Sequence, residues 1–204
     1  MSSRIKIGVI LLSVSILTAL GAGCTATPSN NGTANSAPVI KTEPAKPASD
    51  QGDQVVTGGD LAFMNDAAPG GMAEVELGKL AVSKTQNAEI KAFAQKMIAD
   101  HSKAGDELKQ LATQKKVTLP PDVLPAHKQL MEKLSKLSGA DFDKEYVKAM
   151  VEAHEKDVTA FENVSKTAAD ADVKAFATKT LPTLKMHLEM IKGMADKMGV
   201  KMNP

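Results

Sequence analysis

Between Ile90 and Leu111, apolar residues recur at alternating steps of three and four: Ile90, Phe93, Met97, Ala104, Leu108 and Leu111. This period marks an amphipathic helix with one buried stripe. Such a helix gains most of its stability from packing that stripe against partners, so the segment demands a helical bundle around it. His101 stands in the gap between Met97 and Ala104, where the stripe calls for a hydrophobe.

The rest of the chain supplies the partners. A first helix is predicted from Asp60 to Thr85, with a kink or a fresh start at Pro69, which Gly70 and Gly71 follow. The second begins after Asn87, a good N-cap, and ends near Lys115. Leu119 to Leu137 opens with Pro120, Pro121 and Pro125 and carries Leu130, Leu134 and Leu137, which predicts a short connecting helix. The third helix starts after Ser138 and Gly139 and runs to about Lys166 on the stripe Phe142, Val147, Met150, His154, Val158 and Phe161. The fourth runs from Ala171 to Met198 with Val173, Phe176, Leu184, Leu188 and Ile191 inward. Aromatics are only 3% of the chain and Trp is absent, which suits a core of Leu, Met, Ala and Val rather than a sheet.

Loop lengths set the topology. Tight joins make helices one and two, and three and four, antiparallel hairpins. The long connection between the hairpins can run back along the bundle and leave helices two and three parallel. The expected fold is therefore all-α: a ferritin-like four-helix bundle, two antiparallel hairpins joined by a long crossover containing a short helix. An internal repeat agrees. VSKT at Val82–Thr85 recurs at Val164–Thr167, and IKAFAQK at Ile90–Lys96 recurs as VKAFATK at Val173–Lys179, with spacing that differs by one residue. Those segments fall on the same corner of each hairpin, as in a duplicated pair.

The N-terminus reads as an export signal. Met1–Lys6 carries two positive charges, Ile7–Leu20 is apolar, and Gly21, Ala22, Gly23 and Cys24 follow. Residues 1–23 are expected to be a signal peptide. Cys24 is the single cysteine in the 204 residues. At the cleavage position it is the expected site of lipidation, although Gly21 stands where Leu is usual. An ordinary signal peptide cleaved nearby is the alternative. Residues 24–57, rich in Pro, Ser, Asn and Ala, are expected to be a disordered tether, and 58–204 the bundle domain. The expected location is the periplasmic face of the outer membrane, because Thr25 and not Asp follows the cysteine; a soluble periplasmic protein is the alternative. The membrane, reached through the lipid anchor, is then one partner. Nucleic acid is not: the formal charge is +1, falling to −1 once Arg4 and Lys6 are removed, and Arg4 is the single arginine.

The candidate site is a polar layer. Glu74, His101, His154 and His187 each fall near the middle of a different helix, on or beside its stripe. Three imidazoles and one carboxylate suit one transition-metal ion: Zn, Cu, Fe or Mn. Asp100, Glu152 and Asp157 are candidate acceptors behind those ligands. The competing reading is a set of buried polar residues that bond one another or Tyr146 and fix the register. His127, in the crossover, reads as a surface residue. Residues three before His101, His154 and His187 are Ile98, Val151 and Leu184. The Glu-x-x-His pairs of a di-iron oxidase are therefore missing. Met186, Met190, Met194, Met198 and Met202 repeat every four residues; thioethers bind Cu(I), but the same spacing is a helix face filled with core Met. No nucleophile elbow or phosphate loop occurs, and a non-catalytic protein is favoured over an enzyme.

EVELGKLA at Glu74–Ala81, KAFAQKMIADH at Lys91–His101, LSGADFDKEYVKAMVEAH at Leu137–His154 and KAFATKTLPTLKMHLEM at Lys174–Met190 together resemble the domain of unknown function family 4142. The resemblance spans nearly all of Leu61–Met198. It implies a ferritin-like four-helix bundle, often exported, and brings no activity with it. Two functions remain in competition: a metal-binding envelope module, and a structural or interaction module of the envelope with no metal.

Overall fold

The computed structural model describes residues 56–202. These form five α-helices: α1 (Gly58–Lys84), α2 (Ala88–Gln114), α3 (Pro125–Ser135), α4 (Gly139–Thr167) and α5 (Ala171–Met198), with no strand among the described residues. The expected signal peptide, Cys24 and nearly all of the expected tether lie outside the described residues. The tether's predicted limit at residue 57 is too late, because Val56 is already buried in the core. It is one of two adjacent valines in an otherwise polar stretch, and burial of a Val side chain stabilises by about 1.5–3 kcal/mol.

α1 pairs with α2 and α4 with α5; α2 also packs on α5, and α1 on α4. Ion pairs and hydrogen bonds fix the directions. Lys115, just past α2, reaches Asp170 and Asp172 at the start of α5, at 2.7 and 2.8 Å. Lys197, near the end of α5, meets Glu89 at the start of α2, at 2.9 Å. Asp60, at the start of α1, accepts a hydrogen bond from the Asp170 amide at the far end of α4, at 2.8 Å. Neighbouring helices are thus antiparallel and diagonal ones parallel. This is the ferritin-like four-helix bundle expected, with the crossover (115–138) carrying α3 along α1 and α4.

The repeated segments make repeated corners. Asn87 Oδ1 accepts from the amides of Glu89 and Ile90, at 2.9 and 3.3 Å. Asp170 Oδ1 accepts from those of Asp172 and Val173, at 2.9 and 3.1 Å. Each satisfies two amides that a helix start leaves orphaned. The one-residue difference in spacing arises because α4 continues through Thr167, whereas α1 stops at Lys84.

Pro69 neither breaks nor restarts the first helix; α1 is one continuous element. A proline removes one amide and crowds one carbonyl, a local penalty of about 3 kcal/mol in a helix interior. In α1 the buried Pro69 sits within a row of side chains packed on two neighbours, and tertiary packing outweighs the propensity.

Gly78 is where α1 comes closest to α2. A Cβ there would lie 2.9 Å from Ile98 Cγ1 and 3.1 Å from the Ala94 carbonyl. Gly78→Ala is therefore expected to destabilise the protein by about 0.5–2 kcal/mol, because overpacking exceeds the helix-propensity gain. A lower denaturation midpoint with an unchanged m-value would show it.

The apolar core comes in two parts. One holds Leu77, Ile90, Phe93, Met97, Phe142, Tyr146, Met150 and Ile191, with Leu134 of α3. The other holds Phe63, Met64, Leu108, Leu111, Phe161, Val173, Phe176 and Leu184. Glu74, His101, His154 and His187 fall between them along every long helix. Most of the methionine row is core: Met194 is buried, Met190, Met198 and Met202 pack on the first cluster, and Met186 is exposed.

Candidate metal centre

Burial here is dictated by the stripes. His101 continues the Met97–Leu108 row of α2, His154 the Met150–Phe161 row of α4, and His187 the Leu184–Ile191 row of α5. His154 and His187 are fully buried and His101 is 7% exposed. The ring centroids stand 5.4–5.7 Å apart, and Phe93 packs near the rings of His154 and His187 at 6.4 and 6.1 Å. Each ring offers one nitrogen to a set lying within 4.8 Å of one another.

One nitrogen of each ring is anchored. His101 Nδ1 lies 2.9 Å from Glu74 Oε2. His154 Nδ1 donates to the Met150 carbonyl at 2.9 Å. His187 Nε2 donates to Asp100 Oδ2 at 2.8 Å. The other nitrogens, His101 Nε2, His154 Nε2 and His187 Nδ1, are buried with no hydrogen-bond partner among the described residues. A buried polar atom left unpaired costs about 1–3 kcal/mol, and three together at one height are a concentrated cost. An outer acceptor that fixes the ring and its tautomer, with the inner lone pair left over, is how metal-ligating histidines are held.

Glu74 was the expected fourth ligand. It lies outside the group of three histidines, with Oε2 2.9 Å from Nδ1 of His101 and Oε1 3.5 Å from Nδ1 of His154. It anchors a ring from behind. Asp157 lies close to Glu74, and both line one small cavity. Asp100 takes the anchoring role expected of it, while also holding Lys96 at 3.0 Å. Glu152 does not. It faces outward and lies 4.0 Å from Lys148, because two residues before His154 is a rotation of about 200°. Tyr146 bonds none of these groups; its buried hydroxyl has no partner among the described residues. His127 is half-buried, its Nδ1 accepting from the Leu124 amide at the start of α3, at 3.3 Å.

Electrostatics keep the rings neutral. Burial lowers the pKa of all three, and His101 and His187 further disfavour charge on His154, as His101 does on His187. Neutral imidazole is the form that binds metal. Burial lifts Glu74 above the usual carboxylate range, against the pull of His154. Burial, reinforced by the neighbouring Glu74, pushes Asp157 up to about 8. Burial also opposes ionisation of Asp100, but hydrogen bonds from Lys96 and His187 outweigh it and hold that carboxyl low.

Metal–imidazole bonds of about 2.0–2.1 Å require ligand nitrogens roughly 3.3–3.6 Å apart. A span within 4.8 Å closes to that by small ring rotations, so the residues fit an ion. Asp100→Asn is expected to lower metal affinity about 10–100-fold without abolishing binding, since it weakens the anchor and not the ligand. Competition against a chelator of known affinity measures the change.

The fold and site define an all-helical bundle with a tri-histidine cluster across its waist. The chain belongs to the family described as domain of unknown function (DUF4142), matched over residues 45–194. Among solved structures, the DUF305 fragment from Deinococcus radiodurans is similar with a TM-score of 0.63 at 12% identity, over 71% of this chain and 99% of that one. CopM in its Cu(II)-bound form gives 0.59 at 17% identity, over 68% and 96%. CopM in its Cu(I)-bound form gives 0.58 at 16%, over 69% and 98%. At these identities the likeness concerns the fold alone. No curated protein matches the chain. No described helix is long and apolar enough to cross a membrane.

Proposed function

We propose that this is an exported, lipid-anchored envelope protein that holds one transition-metal ion at mid-bundle through His101, His154 and His187, with copper as the preferred ion. The observation that carries the reading is the trio of buried, unpartnered imidazole nitrogens, each on a ring anchored from behind. Imidazole suits Zn, Cu, Fe and Ni, and divalent copper binds most tightly in the usual affinity order. The copper forms of CopM, a protein of the same fold, support that choice. Glu74, Asp100 and the Met150 carbonyl orient the rings. Lipidation of Cys24 would hold the domain at the periplasmic face of the outer membrane through the 24–55 segment.

The test is metal content after exposure to Cu, Zn, Fe and Mn separately at pH 7, on protein without a His-tag. One copper per chain is expected, lost in His101→Ala, His154→Ala and His187→Ala. Metal-free wild type, or equal copper in all four proteins, would favour a structural module instead. For the anchor, labelled fatty acid should enter the wild type and not Cys24→Ser.

A further inference from the structure

Two openings approach the histidines. One is a cleft between α2 and α5 of about 120 Å³, which His101 and His187 line. An ion pair between Lys179 and Glu107, 2.9 Å long, lies among its lining residues, and Lys103 stands beside it. The other is a wide groove of about 800 Å³ between α1, α2 and the crossover. A small cavity of about 40 Å³ adjoins both, sharing His101, Ala104, Thr180 and Leu184 with the cleft. Gly71, Gly105 and His101 line both the groove and the cavity. Glu74 and Asp157 line the cavity alone.

The glycines are not explained by packing. Unlike Gly78, a Cβ at Gly71 or Gly105 meets nothing within 4 Å. Each lies inside a helix, where glycine costs about 0.5–1 kcal/mol relative to alanine. What they do is leave space between groove and cavity. Two of the side chains lining the cavity are only 7% and 6% exposed: His101, whose Nε2 has no hydrogen-bond partner among the described residues, and Glu74, whose Oε1 lies 3.5 Å from His154 Nδ1. The cavity has room for two or three waters at roughly 15 Å³ each.

We infer that the metal ion reaches the histidines through the Gly71–Gly105 opening, and that Glu74 and Asp157 form a transit site for the cation before it settles on the imidazoles. This rests on the metal-binding reading above. The groove route leads a cation to the carboxyl oxygens of Glu74 and Asp157, whose shared proton it would displace, and to the His101 imidazole. Each route passes two lysines, but the groove sets Glu76, Asp106 and Asp122 against Lys109 and Lys128, whereas the α2–α5 cleft sets only Asp100 and Glu107 against Lys103 and Lys179, and Asp100 is already bonded to Lys96 and His187.

The test is stopped-flow loading with aqueous Cu(II), read by imidazole–copper absorption, together with equilibrium stoichiometry. Gly71→Leu and Gly105→Leu plug the opening, and Gly105→Ala is a milder plug. Thr183→Leu plugs the cleft. Loading in the two opening variants should be at least about tenfold slower, a barrier rise of about 1.4 kcal/mol. Their final spectrum and stoichiometry should match wild type, and their melting temperatures should not fall. Asp157→Asn should also slow loading with the final spectrum unchanged. Wild-type loading rates in both leucine variants, or slowing in Thr183→Leu alone, would overturn the route. Wild type that takes up no copper at all would instead overturn the metal-binding reading.

Discussion

His154→Leu should make the metal-free protein more stable while removing its affinity for metal. Leucine fills much of the imidazole's space with no polar atom. It removes the buried, unpartnered Nε2 and the like-charge conflict that His154 has with His101 and His187. The Met150 carbonyl loses one hydrogen bond but keeps its place in the helix ladder. The gain should be about 1–2 kcal/mol, or about 3–6 °C in melting temperature for a domain of this size. The same change deletes one ligand of three. If a site of this kind binds with about 10–16 kcal/mol shared among its ligands, the loss is at least about 3 kcal/mol, a factor of more than about a hundred. A purely structural layer predicts the opposite sign for stability, since it would lose register and bonding. Thermal melts of both proteins in chelator, then with added copper, separate the two.

The second large effect is a stability maximum near pH 6.5 in the metal-free protein. His101, His154 and His187 have folded-state pKa values below the ordinary 6.5. Below pH 6.5 the unfolded chain takes up protons that the folded chain refuses, so stability falls with acidification. Each such proton is worth about 1.4 kcal/mol per pH unit. Glu74 and Asp157 act the other way. Their folded pKa values lie above their ordinary ones, so the folded state holds a proton that the unfolded chain has lost. That contribution declines as pH rises from about 4 to the value near 8 reached by Asp157. Three histidines outweigh two carboxyls below pH 6.5, and above it only the carboxyls act. Asp157→Asn should flatten the alkaline side and steepen the acidic side, where its contribution opposes that of the histidines. Denaturation midpoints from pH 5 to 9 in chelator report both branches.

Much of the fold was legible because the 3–4 stripe is a property of sequence alone. So were the hairpins, since Thr85–Asn87 and Ala168–Asp170 leave too few residues for anything but a reversal. Pro69 does not restart the helix because its penalty is local while the packing that overrides it comes from α2 and α4. Val56 reads as part of the tether because one buried valine carries no period. For the site, counting along helices placed four polar groups at one height, but height does not decide orientation. Whether Glu74 faces the shared point or backs a ring depends on its side-chain rotamer, which no spacing reports. Glu152 was separable from Asp157 by helical angle: from His154, Asp157 turns about 60° from the same face and Glu152 about 160° away. The Gly71–Gly105 opening was beyond reach, since Gly71 reads as part of a kink and Gly105 carries no signal until the groove and the small cavity they both line are seen.

The most direct measurement is X-ray absorption on copper-loaded protein at pH 7. The account predicts one copper per chain with about three imidazole nitrogens at roughly 2.0 Å, and loss of imidazole scattering in His101→Ala. Copper surrounded by sulfur or by carboxylate and water oxygens alone, with an unchanged spectrum in His101→Ala, would contradict it.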